Sequence, residues 1–290
     1  MSTLNTTTST SRPTLGTGDA GASYFETDSK NIIVWDGTDW RGYQNDGISV
    51  SGWSGQNRFT ASFDGTNDYM ETGVPIVTGT EAITLSGWVY LTATPASYDT
   101  FISIRGSTST GTGRFLGLYS TTRKLTFGAY GPGVTGTTVL SLNTWYHIAA
   151  TCSGAGAAKV YLDGVLEASG NITYNSVASG NTFTVARGGG TEYAQAKIDD
   201  VAVWNEVLGD GGVSVGSTAT GDIASLYNSG APGNIMSLGS SGPKGWWRMG
   251  DGYEGGSGTT IYDMSFSSNH GTLTNGASIA SVGSGEDIYV

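Results

Sequence analysis

The 290-residue chain contains one cysteine and six prolines, and only 13% of its residues are charged, about half the usual share. A single thiol, Cys152 in "WYHIAATCSG", excludes a disulfide within the chain, and its apolar neighbours read as a buried, unreactive group. Secreted domains of this size are often cross-linked, so the count leans toward assembly in the cytosol. Basic residues number 13 against 24 acidic ones, a net charge of −11. That balance speaks against a nucleic-acid-binding or anionic-membrane surface, which needs basic patches. No apolar run approaches the roughly 18 residues of a spanning helix. The opening "MSTLNTTTSTSRP" has no apolar segment of the signal-peptide kind. With two histidines and one cysteine, a zinc cluster is not expected. Runs of Leu, Ala, Glu and Lys at helical spacing are almost absent.

What is abundant points one way. There are 47 glycines, 15 tyrosines and 8 tryptophans. Many turns, many aromatics and few charges describe an all-β protein of short strands. Residues 1–22 are rich in Thr, Ser and Gly and show no periodicity, as in an extended arm. The stretch "SYFETDSKNIIVWDGTDWRGY" (23–43) then reads as three short strands, with a turn at Asp36-Gly37 that uses the glycine's freedom at positive φ. A lone hairpin is marginal in water. The unit is therefore expected to dock on a partner through Tyr24, Phe25, Ile33, Trp35 and Trp40. The domain boundary is placed after residue 47, giving an attachment unit over 1–47 and a main domain over 48–290.

In the main domain, "AITLSGWVYL" alternates with period two: Ile83, Leu85, Gly87, Val89 and Leu91 face one side, Thr84, Ser86, Trp88 and Tyr90 the other. "AKVYLDGVLEAS" is a hairpin with Asp163-Gly164 at its tip. "TGDIASLYNSGAPG" is the one helix expected, with Asp222 as N-cap and Gly230 after its end. His147, in a strand pattern, reads as a hydrogen-bonded structural residue, and His270 as a loop residue. "ARGGGTEY" lacks a strand-loop-helix context and reads as a hairpin tip, not a phosphate loop.

Four segments, in order, carry a resemblance. "FDGTNDYMETG", "ITLSGWVYL", "NTWYHIAATCSGAGAAKVYLDGVLEAS" and "AKIDDVAVWNEVL" resemble laminin-G-like domains of the concanavalin A-like lectin/glucanase superfamily. The resemblance implies an antiparallel jelly-roll β-sandwich over roughly residues 55–228. The tail "GWWRMGDGYEGGSGTTIYDMSFSSNHGTLTNGAS" is similar to a segment that precedes the core in many members. Too few residues follow Gly245 for another jelly roll, so this tail is expected to close the first one. Separately, "GDAGASYFETDSKNIIVWDGTDWRGY" resembles short segments near the N-termini of tailed-phage fibre and virion proteins. That resemblance implies a virion structural protein, a capsid decoration or fibre-like appendage. It would be assembled in the host cytoplasm, exposed on the virion surface, joined to other virion proteins, and homo-oligomeric, with a trimer expected.

For chemistry, retaining glycosidases place two carboxyls about 5–5.5 Å apart. The glucanases of the superfamily use an E-x-D-x-(x)-E strand that this chain lacks. Asp199 and Asp200 alternate across a strand and Glu206 lies too far along, so no enzyme is expected. Ca²⁺ needs several oxygen ligands. Asp64, Asn67 and Asp68 in one loop and Asp199 and Asp200 in another offer them, and laminin-G-like relatives often hold the ion in such loops. The alternative is that these groups satisfy turns and buried backbone donors. Binding of a host glycan would use exposed aromatics, for which Trp53, Tyr98, Tyr130, Tyr193 and Trp247 are candidates. Burial in the core or an interface is the alternative for each.

Overall fold

The structure is a computed structural model; it describes residues 5–7, 11, 13–16, 23–26, 31–35, 40–44, 58–95, 98–105, 113–118, 120–129, 133–173, 181–190, 192–251, 256–265 and 267–282. The chain divides into two compact units, residues 1–56 and 57–290.

The first unit is a four-stranded sheet of β1 (Asn5–Thr7), β2 (Ser23–Glu26), β3 (Asn31–Trp35) and β4 (Trp40–Gln44), in that order. The three expected strands are all present, antiparallel, with Trp35 directly opposite Trp40. A strand in the arm was not expected: β1 pairs in parallel with β2, Thr6 opposite Phe25. Three residues of Thr and Asn carry too little pattern to announce themselves. Tyr24 is half-buried. The Asp36-Gly37 turn and the side chains of Phe25, Ile33, Trp35 and Trp40 lie outside the described residues.

The second unit begins with β5 (Phe59–Asp64), β6 (Tyr69–Glu71), β7 (Ile83–Leu91), β8 (Asp99–Arg105), β9 (Arg114–Leu118), β10 (Lys124–Gly128) and β11 (Val134–Val139). There follow β12 (Trp145–Cys152), β13 (Ala157–Leu162), β14 (Val165–Asn171), β15 (Thr182–Val185) and β16 (Gln195–Trp204). Helix α1 (Gly221–Tyr227), β17 (Gly245–Trp247), β18 (Thr260–Ile261), β19 (Gly271–Thr274) and β20 (Ser278–Ser281) complete it. Two antiparallel sheets result. One runs β14-β13-β12-β7-β16-β5-β20, with β17 beside β16; the other runs β11-β10-β9-β8-β15-β6-β19-β18. We call them the helix-side sheet and the open sheet.

The alternation read in β7 holds. Ile83, Leu85, Val89 and Leu91 enter the core between the sheets with Phe101, Ile102, Leu116, Phe127, Ile148 and Phe183. Gly87 belongs to the same inner row, where a Cβ would touch Val201 and Ile102. The outer row is buried as well, because α1 and the loops around it cover Ser86 and Trp88. At the β13–β14 turn, Asp163 (φ 48°) and Gly164 (φ 75°) take the paired left-handed conformations of a type I′ hairpin, as expected.

The helix lies where expected, but its caps differ. Thr220 is the N-cap and makes no side-chain capping bond, Asp222 sits inside the first turn, and the left-handed C-cap is Asn228. Asp222 is displaced because Gly221, at φ 64°, redirects the chain just before the helix. The tail closes the same sandwich: β17 pairs with β16, β19 with β6, and β20 with β5. Cys152 is a free, buried thiol, and burial pushes its pKa up.

Candidate functional site

The outer face of the open sheet carries a cluster of aromatic and charged side chains. In β6, Met70 points into the core, so its neighbours Tyr69 and Glu71 face outward. Residues 187–190, 192 and 193 belong to the hairpin tip expected from "ARGGGTEY": Arg187 and Tyr193 bridge, and Gly188 N–H donates to Glu192 O at 2.8 Å. The Glu192 carboxylate accepts from Gly189 N–H at 3.1 Å and Thr100 Oγ1 at 3.4 Å, which fixes the tip. Ser103 and Thr184 both donate to the Arg187 carbonyl at 2.8 Å.

On this frame the Arg187 guanidinium lies 3.8 Å from the centre of the Tyr69 ring and 2.9 Å from Glu71 Oε2. The Tyr193 ring is 6.5 Å from that of Tyr69, tilted by 36°. Thr272 and Thr274 of β19 stand opposite Glu71 and Tyr69. Both tyrosines are half-buried, and the Glu71 side chain keeps 35% of its surface. A held guanidinium, a carboxylate, two phenols and two threonine hydroxyls present alternating donors and acceptors beside aromatic surface. That combination suits a polyhydroxylated ligand, whose rings have an apolar face and a polar edge.

The other sugar-binding candidates fare differently. Trp247 is fully buried between the sheets, stacked on Phe183 at 4.7 Å, and is a core residue; its inward position in β17 follows from pairing with β16. Tyr98 is exposed, at 36%. Trp53 and Tyr130 lie outside the described residues.

The acidic loops form two separate groups. At the β5–β6 turn, Asp64 Oδ1 accepts from Thr66 N–H at 2.7 Å and Asp68 Oδ2 from Asp64 N–H at 3.3 Å. Asn67 is exposed, and its carbonyl accepts from Asn275 Nδ2. Burial, then the Asp64 charge, raises the pKa of Asp68, whose Oδ1 has no partner. Both carboxylates of this turn accept backbone N–H bonds within it. Asp199 and Asp200 lie on β16 in the helix-side sheet. They do not alternate across the strand as expected. A bulge sends both Ile198 and Val201 into the core and sets Asp200 at φ 42°, so Asp200 joins Asp199 on the outer face. Among the described residues no three His, Cys, Asp or Glu side chains converge on a metal position.

That outer face holds a small cavity of about 10 Å³, lined by Ser86, Trp88, His147 and Asp200 beneath Leu226 and Ile235. His147 Nε2 lies 2.9 Å from Ser86 Oγ, and burial drives the imidazole pKa down to about 3, so the ring is neutral. This is the structural histidine expected. The serine partner was not legible, because the pairing is diagonal across β7 and β12. His270 is exposed and accepts from Asp263 N–H at 3.1 Å.

The model of the Laminin_G_3 family, described as the concanavalin A-like lectin/glucanases superfamily, matches residues 64–214, which is 151 of the 290. The chain belongs to this family. Among solved structures, this laminin-G-like chain is similar to a candidate carbohydrate-binding protein from Bacteroides ovatus, at 18% identity and a TM-score of 0.56, covering 91% of this chain and 70% of that one. It is also similar to the heptameric SAP-like pentraxin of Limulus polyphemus, at 17% identity and a TM-score of 0.46, covering 67% and 93%. Domain 4 of a GH43 extracellular arabinanase from Geobacillus stearothermophilus, solved with arabinotriose, matches at 15% identity and a TM-score of 0.42, covering 58% and 76%. No curated protein sequence matches. At these identities the likeness is one of fold, and the sandwich reading of the laminin-G-like motifs stands.

Proposed function

We propose that the laminin-G-like domain is a non-catalytic carbohydrate-binding module whose sugar face is the Tyr69–Glu71–Arg187–Tyr193 cluster. The observation that carries the reading is the Arg187 guanidinium, held on Tyr69 at 3.8 Å and on Glu71 at 2.9 Å on a rigid strand frame. A charged hydrogen bond of this kind contributes about 1.5–3 kcal/mol to a ligand it reaches. The description of the Bacteroides ovatus relative as carbohydrate-binding supports the same reading. A glycan array followed by calorimetry on the full chain tests it. Arg187→Ala and Tyr193→Ala are expected to weaken the best glycan at least about tenfold. Absence of any binding at millimolar sugar, with or without Ca²⁺, removes the proposal.

The second reading concerns where the module works. Residues 1–56 form a compact unit of their own, and the segment 18–43 resembles phage virion attachment segments. We propose that this unit anchors the chain to a virion and that the module faces outward, as decoration or appendage. A chain lacking residues 1–56 is expected to stay folded and to be missing from purified particles. Full incorporation of the shortened chain would sink this reading and leave the glycan face untouched.

A further inference from the structure

The flank of the sandwich where β11 and β14 meet carries a second surface. Each is the terminal strand of its sheet, β11 of the open one and β14 of the helix-side one. Two glycines let the strands approach. A Cβ on Gly170 would lie 3.2 Å from Val134 Cγ2, and one on Gly136 would lie 3.1 Å from Glu167 Oε2. In a regular ladder successive N–H groups point to opposite sides of the strand. Here the register of β11 on β10 shifts between the pairs Lys124–Val139 and Thr126–Thr135. The N–H groups of Thr137 and Thr138 consequently both point off the free edge.

One carboxylate takes both. Glu167 Oε2 accepts from Thr137 N–H at 2.8 Å and from Thr138 N–H at 2.9 Å. The two hydroxyls add to it, Thr137 Oγ1 on Oε2 at 3.0 Å and Thr138 Oγ1 on Oε1 at 2.8 Å. Four donors converge on one side chain reaching across from the other sheet. Burial alone would raise the Glu167 pKa, but these bonds outweigh it and hold the carboxyl below its ordinary value.

The edge so capped is suited to strand pairing. "VTGTTV" has five β-branched residues in six, with no charge and no proline, in a chain of net charge −11. Thr137 and Thr138 are exposed, and Val139 keeps 48% of its surface. An uncharged, β-branched edge strand is the kind that adds to another strand, and natural proteins block such edges with a charged side chain. Two copies of this segment, antiparallel and in register about a two-fold axis, would set Val134 against Val139 and Thr135 against Thr138 with no like charges opposed.

We propose that β11 is a strand-pairing edge whose partner is a second copy of this chain, and that Glu167 is the internal stopper that keeps it closed. Removing the carboxylate leaves two donors facing water and ready for the carbonyls of an incoming strand. In the full chain, Glu167→Ala is expected to double the weight-average mass measured by light scattering against wild type at equal concentration. Hydrogen exchange in residues 134–139 should slow as concentration rises. Adding Thr137→Pro, which removes one donor and obstructs pairing, should restore the wild-type mass. A folded Glu167→Ala protein with the wild-type mass overturns the proposal, as does doubling that persists with Thr137→Pro. Should the alanine variant not fold, Glu167→Leu, which keeps bulk but no acceptor, is read in the same way.

Discussion

Replacing Trp247 by alanine is expected to lower the unfolding free energy by about 3–5 kcal/mol, the range for an aromatic truncated in a packed core. The side chain is fully buried. Its ring stacks on Phe183 at 4.7 Å, and its indole N–H donates to the Asn269 carbonyl at 2.9 Å. The ring also covers Gly245, where a Cβ would come within 2.2 Å of it. Truncation opens a void between the sheets and leaves the part-buried Asn269 carbonyl without its donor. The tail from Gly245 onward is held to the body by this residue together with the β17–β16, β19–β6 and β20–β5 pairs. A urea titration reads the effect, and a loss below about 1 kcal/mol would show that the tail is not part of the core. Any fall in glycan binding by this variant should follow the unfolded fraction, since Trp247 has no surface to offer a sugar.

The second large effect is electrostatic. Arg248 is 4% exposed, and its Nε lies 3.5 Å from Asp200 Oδ1. Asp200 Oδ1 also accepts from the Trp246 indole at 2.8 Å, while its Oδ2 has no partner. Asp199 is fully buried, and desolvation, then the charges of Asp200 and Asp251, hold its pKa well above the ordinary carboxylate value. Arg248→Met removes the buried cation and leaves three carboxyls close together, which is expected to cost about 3–5 kcal/mol near neutral pH. The sign of the pH dependence follows from the raised pKa. The folded state holds the Asp199 proton more tightly than the unfolded chain. Its contribution is therefore present at low pH and lost as pH rises from about 3.9 toward the folded value. The penalty for Arg248→Met should accordingly shrink at about pH 4, where the remaining carboxyls can take up protons. Denaturation midpoints at the two pH values check this. An equal loss at both would mean that Arg248 acts by packing alone.

The sandwich was legible because its signals are local. Alternation in β7 assigned the inner row, and Asp163-Gly164 declared its turn. The helix stood out against a chain with almost no other apolar helical spacing. What was not legible depends on partners far away in sequence. Arg187 and Glu71 are 116 positions apart, and no local rule joins them. Tyr193 was singled out as an aromatic in a loop, but the arginine that makes its surroundings specific was passed over as part of a glycine-rich tip. At Asp199 and Asp200 the two-residue period failed because a bulge adds one residue, and a bulge is a property of paired strands. Glu167 carries no local signal of its role, since its partners Thr137 and Thr138 belong to the other sheet.

The closing of this domain has a temporal consequence. Backbone donors of Arg58 and Phe59 end on Asp251, 193 and 192 positions later, and Asn275 reaches back to Asn67 across 208. The strands that open the sandwich therefore have no neighbours on one side until its final strands have left the ribosome. Such long-range pairing makes for slow folding, with apolar strand edges waiting uncovered during synthesis. A chain with so few charges in its strands depends on that interval being short or chaperoned, and the yield of folded protein should track synthesis rate and temperature more steeply than its final stability would suggest.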